Sequence, residues 1–367
     1  MTLTPPTVRL RWRPFRLPMR HRFEAAHGVL DDREGVLVQV VDADGVTGTG
    51  EASPMPSLGH GTVADVLALL EAHGAAFLDP AFEVPDGPGA LALRCALDVA
   101  RLDLRARREG CSVAALLGEG APAGWVQANA VLGSGEPRDI AEYALEAWGA
   151  GYRVLKLKVG TRDLDADVAR VGAVREVCPN AVIRLDANGA WSEAQAIEAI
   201  EALSHHRIEL LEQPVPAAEV EALARIRERT PMRIAADEAV VDPSTLAQVL
   251  ELRAADLVVL KPMMLGGLTA AAEVARRSFE RGIGAFVTTT FDSSIGTAAA
   301  LHLAASLPWD AAHGLGTGEH LAADVTAATM RPTGGRIALP AAPGLGVEVS
   351  EASLDAVATG PWVEVAR

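Results

Sequence analysis

Residues 155–160 read LKLKVG, and this short stretch decides the fold. On an extended strand Leu155, Leu157 and Val159 point to one side while Lys156 and Lys158 point to the other. Two lysines on one strand face repel each other, and lysine enters a protein interior only with partners. The strand therefore needs apolar packing behind it and acidic groups in front of it.

Further along the chain those acids appear in rhythm. The apolar runs AVIRLDANG (181–189), IELLEQPV (208–215), RIAADEAV (233–240) and DLVVLKPM (256–263) each close on a charged residue. From Lys158 to Asp186 is 28 residues, then 26 to Glu212, 25 to Asp237 and 24 to Lys261. A strand, a helix and two turns of a barrel take about that length. VQANAVLG (126–133), GAFVTTTF (284–291) and AHGLGTG (312–318) complete eight apolar runs, with helix-like segments such as SEAQAIEAIEALS between them. Eight strand–helix units predict an α/β fold, a (β/α)8-type barrel over 119–323. In such a barrel the C-terminal strand ends converge on one mouth, so Lys158, Asp186, Glu212, Asp237 and Lys261 would meet there.

Residues 1–118 have a different pattern. GVLVQVVDADGVTGTGEASP (35–54) reads as two strands turning at Asp44–Gly45. Thr62 and Asp65 form a capping-box pattern ahead of an apolar helix, and Leu93, Leu97, Ala100 and Leu104 form a stripe at helical spacing. An α+β capping domain is expected here, with the tail 324–367 packing back on it. The formal net charge of −15 argues against nucleic acid and against an anionic membrane surface. No run approaches a membrane span, and no signal-peptide core is visible, so a cytoplasmic protein is expected. Cys95, Cys111 and Cys178 have no metal-like spacing and read as incidental thiols.

Three carboxylates, Asp186, Glu212 and Asp237, suit a hard divalent cation. Lysines on either side of them suit removal of a proton α to a carboxylate, with positive charge holding the anion that results. A lysine serves as base only when its ammonium form is disfavoured, and Lys156 together with a cation would do that to Lys158. The alternative for each lysine is a salt bridge to one of the acids.

LKLKVG, LDANGAW (185–191), LLEQPV (210–215), AADEAV (235–240) and VVLKPMMLGG (258–267) together resemble the enolase superfamily, in its muconate-lactonizing-enzyme subgroup. GEASPMP (50–56) and ALDVARLDL (96–104) resemble its capping domain. The resemblance implies Mg²⁺, or Mn²⁺ in its place, on Asp186, Glu212 and Asp237. It implies Lys158 as base with Lys156 beside it, Lys261 on the opposite face, and Asn188 and Glu238 supporting the ligands. A homo-oligomer is also expected. TTTFDSSIGTAAALHLAASLP (288–308) and AHGLGTGEHLAADVT (312–326) look like o-succinylbenzoate synthases, and 23–38 resembles the loop such enzymes fold over substrate. The reaction implied is dehydration of a cyclohexadiene carboxylate in menaquinone biosynthesis. Racemisation of N-succinylamino acids is the alternative, alone or in the same protein. Dipeptide epimerisation, muconate cycloisomerisation and a non-catalytic metal-binding scaffold rank lower. Arg184, Ser293, Ser294 and the backbone at Gly316 are the candidates for holding a small anionic carboxylate substrate.

Overall fold

The structure is a computed structural model describing residues 7–25, 28–118, 120–133, 135–308 and 311–367. The N-terminal unit is an antiparallel sheet carrying three helices. Its strands are β1 (Thr7–Ala25), β2 (Gly28–Asp42) and β3 (Thr47–Ala52), followed by α1 (Val63–His73), α2 (Ala90–Glu109) and α3 (Val113–Leu117). Thr62 and Asp65 close the expected capping box at the start of α1. The stripe on α2 faces the sheet, with Leu93, Leu97, Ala100 and Leu104 buried. Gly48 and Gly50 make that contact close: a Cβ on either would fall 2.0 Å from the carbonyl oxygen of Ala100 or Ala96. The tip of the β1–β2 hairpin, residues 26–27, lies outside the described residues, so the expected substrate-covering loop is visible only along its flanks.

The chain then builds a barrel. Its first station is split into β4 (Trp125–Ala128) and β5 (Ala130–Leu132), with Asn129 between them, and α4 (Pro137–Gly149) follows. Next come β6 (Val154–Lys158), α5 (Leu164–Val177), β7 (Val182–Asp186), α6 (Glu193–Leu203), β8 (Ile208–Glu212) and α7 (Val220–Arg229). After them run β9 (Arg233–Ala236), α8 (Glu238–Val241), α9 (Pro243–Leu252), β10 (Leu257–Leu260), α10 (Pro262–Leu265) and α11 (Leu268–Glu280). The barrel ends with β11 (Gly284–Val287), α12 (Ser294–Ser306) and β12 (Ala312–His313). β5 to β11 form one parallel sheet in sequence order. β12 closes it, pairing in parallel with β4 and touching the β11 strand end through a Thr288–Gly314 bridge. The eighth unit departs from expectation. Its strand is two residues long, and a short 3₁₀ turn, Thr317–His320, stands where a helix was expected.

The tail serves both units. β13 (Arg336–Ala338) pairs with β4 in the barrel, and after α13 (Glu351–Val357) the final strand β14 (Val363–Ala366) pairs antiparallel with β1. None of the helices formed by the described residues is long and apolar enough to cross a membrane.

α12 is buried almost all round, as its sequence SIGTAAALHLAAS requires. Within it His302 accepts the Ala114 N–H at Nδ1 (3.1 Å) and bonds the Leu345 carbonyl through Nε2 (3.0 Å), tying α3, α12 and the tail together. Burial pushes the His302 imidazole down to about 4. Its usual value in an unfolded chain is about 6.5, so between pH ~6.5 and ~4 the unfolded state binds a proton that the folded state does not. Stability therefore falls as pH drops through that window. Between pH 7 and 5 this group contributes a loss of roughly 2 kcal/mol, and His302→Gln should lack that share of the acid sensitivity in urea unfolding.

Candidate active site

The strand register explains why the charged residues meet. On β6, Leu155 and Leu157 are fully buried beneath the outer helices, while Lys156 and Lys158 point into the barrel. Lys158 pairs in register with Asp186, and Asp186 with Glu212, so three strand ends carry their charges at one level. Asp237 follows the last residue of β9, and Lys261 follows β10. Lys156, Lys158, Asp186, Asn188, Asp237, Glu238 and Lys261 all line one pocket at this mouth, and Glu212 touches it through Lys156.

Each lysine is paired. Lys156 Nζ donates to Glu212 Oε1 (2.6 Å) and lies 2.9 Å from Asp186 Oδ2. Lys158 Nζ donates to Asp186 Oδ2 and to Asn188 Oδ1, both at 2.7 Å. Lys261 Nζ donates to Asp237 Oδ2 (2.6 Å). β7, β8 and β9 separate the two lysine strands in the sheet, so Lys158 and Lys261 approach the pocket from opposite sides of the acids.

Burial would lower Lys156, but Asp186, Glu212 and Asp237 outweigh it and hold the side chain as an ammonium. Lys261 is held protonated in the same way, by Asp237 and Glu238 against burial. Burial likewise opposes ionisation of Asp186, yet Lys156 and Lys158 keep it well below the usual carboxylate range. Glu212 goes the other way: burial, then Asp186 beside it, push its carboxyl up to about 8. Asp237 is also raised, chiefly by burial. Three lysines thus face three carboxylates, and burial still disfavours the ionised forms of Glu212 and Asp237.

Glu212 Oε2 and Asp237 Oδ1 are buried with no hydrogen-bond partner. Unpaired carboxylate oxygens in an all-oxygen trio fit a hard divalent cation better than any protein partner. No group of three His, Cys, Asp or Glu side chains among the described residues is drawn together tightly enough to hold a metal. The Lys156 ammonium instead bridges Asp186 and Glu212.

Gln213 was quoted in LLEQPV without a role, whereas Asn188 was expected to support the ligands. Gln213, buried and at φ 40°, accepts the N–H groups of Asp237 (2.9 Å) and Ala239 (3.3 Å) and so fixes the third acid. Asn188, at φ 45°, donates to Glu238 Oε1 (2.9 Å) while accepting from Lys158. The signal for both was present: each polar residue sits within two positions of its acid, where the chain must turn sharply off the strand. Behind Lys158, buried Asp167 accepts the Gly160 N–H (2.7 Å) and pairs with buried Arg170. Asp167→Ala would leave that guanidinium inside without its charge partner. The expected cost is about 3–5 kcal/mol, read as a lower urea midpoint.

The four candidate substrate-holding residues are not among those lining the pocket. Arg184 donates to Glu209 Oε2 (2.6 Å) and to the Ala312 carbonyl (2.7 Å), with Phe286 beneath it. Lying two residues before Asp186, it points inward but one layer deeper in the barrel. Ser293 caps α12 and donates to Glu51; Ser294 donates to Asp324 Oδ2 (2.6 Å). Gly316 precedes the 3₁₀ turn, while its neighbours Gly314 and Thr317 reach the pocket. The remaining wall comes from residues that had no assigned role: Asn129, Thr288, Thr289, Thr290 and Phe291, with Leu30, Met55 and Leu58 from the N-terminal unit.

Residues 10–118 match the family described as "Mandelate racemase / muconate lactonizing enzyme, N-terminal domain", and residues 139–353 match "Enolase C-terminal domain-like". Muconate cycloisomerase 1 of Rhodococcus opacus is 32% identical over 88% of this chain and 90% of its own. The structure of N-succinyl Arg/Lys racemase from Bacillus cereus superposes with a TM-score of 0.89 at 26% identity, covering 98% of this chain and all of that one. A dipeptide epimerase from Enterococcus faecalis, solved with Mg and the dipeptide L-Leu-L-Tyr, gives 0.85 at 27% identity, over 94% and 99% of the two chains. With its lysines, acids and capping unit in this arrangement, the chain belongs to the enolase superfamily, in its muconate-lactonizing-enzyme subgroup.

Proposed function

We propose that the protein is an o-succinylbenzoate synthase, which dehydrates 2-succinyl-6-hydroxy-2,4-cyclohexadiene-1-carboxylate. The observation that carries this reading is the opposed pair Lys158 and Lys261 across three buried carboxylates, in a pocket where Glu238 is the one further acid among the described lining residues. Glu238 accepts from Asn188, and among the described residues the wall formed by strands seven, eight and one places no carboxylate in the pocket. That wall disfavours dipeptides. Apolar Met55, Leu58, Val131 and Phe291 instead suit a carbocyclic ring.

Asp186, Glu212 and Asp237 are the residues that would hold Mg²⁺, which would supply positive charge to a substrate carboxylate. Lys158 takes the proton α to that carboxylate, and the C–H electron pair moves into the carboxylate. Returning electrons form the new ring double bond and break the C–O bond at the neighbouring carbon. The Lys158 ammonium gives its proton to the departing hydroxide, so water leaves and the base is regenerated. Lys261, held as an ammonium by Asp237, stabilises the negative charge from the other side. Lys156 stays protonated and orients Asp186 and Glu212.

Racemisation of N-succinylamino acids is favoured by one specific observation, the close structural match to N-succinyl Arg/Lys racemase over nearly the whole chain. It needs the same pocket, with Lys158 and Lys261 working opposite faces of one carbon. The test is a paired assay of the cyclohexadiene carboxylate and an N-succinylamino acid on the purified protein with Mg²⁺. Turnover of the former supports the assignment. Turnover of the latter alone replaces it with the racemase, and turnover of neither sinks both.

A further inference from the structure

The pocket contains two polar side chains that the chemistry above leaves unused. Asn129 is 1% exposed, and neither its Oδ1 nor its Nδ2 has a hydrogen-bond partner. Thr288 is 6% exposed, and its Oγ1 is equally unpaired. Both line the pocket. Buried amides and hydroxyls in a folded chain are normally satisfied, because leaving one unpaired costs stability.

Their neighbours show that pairing was available locally. Thr289 Oγ1 lies 2.6 Å from Thr317 Oγ1, and Thr290 donates to Asp292 Oδ1 (2.7 Å). The two unpaired groups are held by backbone instead. Asn129 sits at the break between β4 and β5, its N–H on the His313 carbonyl (2.9 Å). Thr288 extends β11, its N–H on the Leu260 carbonyl (2.9 Å). Their positions around the barrel are complementary. Asn129 stands next to the strand of Lys156 and Lys158, and Thr288 next to the strand that ends in Lys261, each on the side away from the acids. A substrate anchored by its carboxylate at the acid side would extend its other arm across this half, where the described lining residues include no acid.

We infer that Asn129 and Thr288 form a subsite that reads a neutral carbonyl in the non-reacting arm of the substrate. This rests on the proposed function, and it names a feature both candidate substrates share: the carbonyl joining the succinyl chain to the rest of the molecule. An N–H or O–H donor is the natural partner for such an oxygen, and Asn129 Nδ2 and Thr288 Oγ1 are the unpaired donors facing it. Asn129 Oδ1 is left to accept from the amide N–H next to that carbonyl in an N-succinylamino acid. The pair therefore selects acyl substituents over alkyl ones of the same length.

The test uses the Mg²⁺-loaded protein, calorimetry, and two ligands differing only in this carbonyl: o-succinylbenzoate and 4-(2-carboxyphenyl)butanoate. Wild type should bind the ketone on the order of ten- to a hundredfold tighter. Asn129→Leu and Thr288→Val should lose most of that preference by weakening ketone binding, with the methylene compound little affected. Melting temperatures supply a second readout. Because no protein partner is lost, both variants should melt at or above wild type, whereas residues with a structural role would melt lower. An unchanged preference in both variants, or lower melting in both, overturns the inference while leaving the proposed reaction intact. Failure of wild type to bind either ligand, with no turnover in the paired assay, removes the proposed function and the subsite with it.

Discussion

Lys158→Ala should reduce turnover by at least about a thousandfold while leaving the fold in place. General-base catalysis by a positioned side chain contributes roughly 10²–10⁴ in rate, and here the same group also returns the proton to the leaving hydroxide. Two separate steps therefore fail together. Lys158 lies at the C-terminal end of β6 and among the described residues bonds Asp186 and Asn188, both of which keep other partners in Lys156 and Glu238. Circular dichroism and the urea midpoint should accordingly stay near wild type, and substrate KM should change far less than kcat. A non-catalytic scaffold would show no such split, because there would be no turnover to lose.

Lys261→Ala should separate the two candidate reactions. In dehydration the proton leaves and returns on the Lys158 side, and Lys261 contributes charge alone. Loss of one such charge costs on the order of 10²–10³ in kcat. In racemisation Lys261 must deliver or remove the proton on the second face, so its loss should abolish conversion between enantiomers. Lys261→Ala should retain measurable dehydration and lose racemisation altogether. Lys261→Arg should recover part of the dehydration, since it restores the cation without a usable base. Equal loss of both reactions would mean that Lys261 is an acid or base in each.

The convergence of the charged residues was legible because its signal is one-dimensional. Charges that end apolar runs at intervals of 24 to 28 residues must converge once the barrel closes, whatever the loops do. The substrate half was not. Arg184 shares a strand face with Asp186, but depth within the barrel depends on strand rise and tilt, and it pairs with Glu209 below the pocket. Ser293 and Ser294 stand at the start of α12, where their hydroxyls meet Glu51 and Asp324 from distant parts of the chain. Asn129 gave no signal at all, because only the break between β4 and β5 turns it inward without a partner. The eighth βα unit misled for a similar reason: AHGLGTG reads as a strand, but pairing with β4 covers only Ala312 and His313.

α-Proton exchange with solvent reports directly on Lys158 as the base. In D₂O with Mg²⁺, wild type should wash deuterium into the α-position of a bound N-succinylamino acid, followed by proton NMR, whether or not net racemisation occurs. Lys158→Ala should show no exchange on the face that Lys158 serves, while Lys261→Ala retains it. Exchange persisting at the wild-type rate in Lys158→Ala would contradict the assignment of Lys158 as the base, and with it the reading of LKLKVG as the catalytic strand.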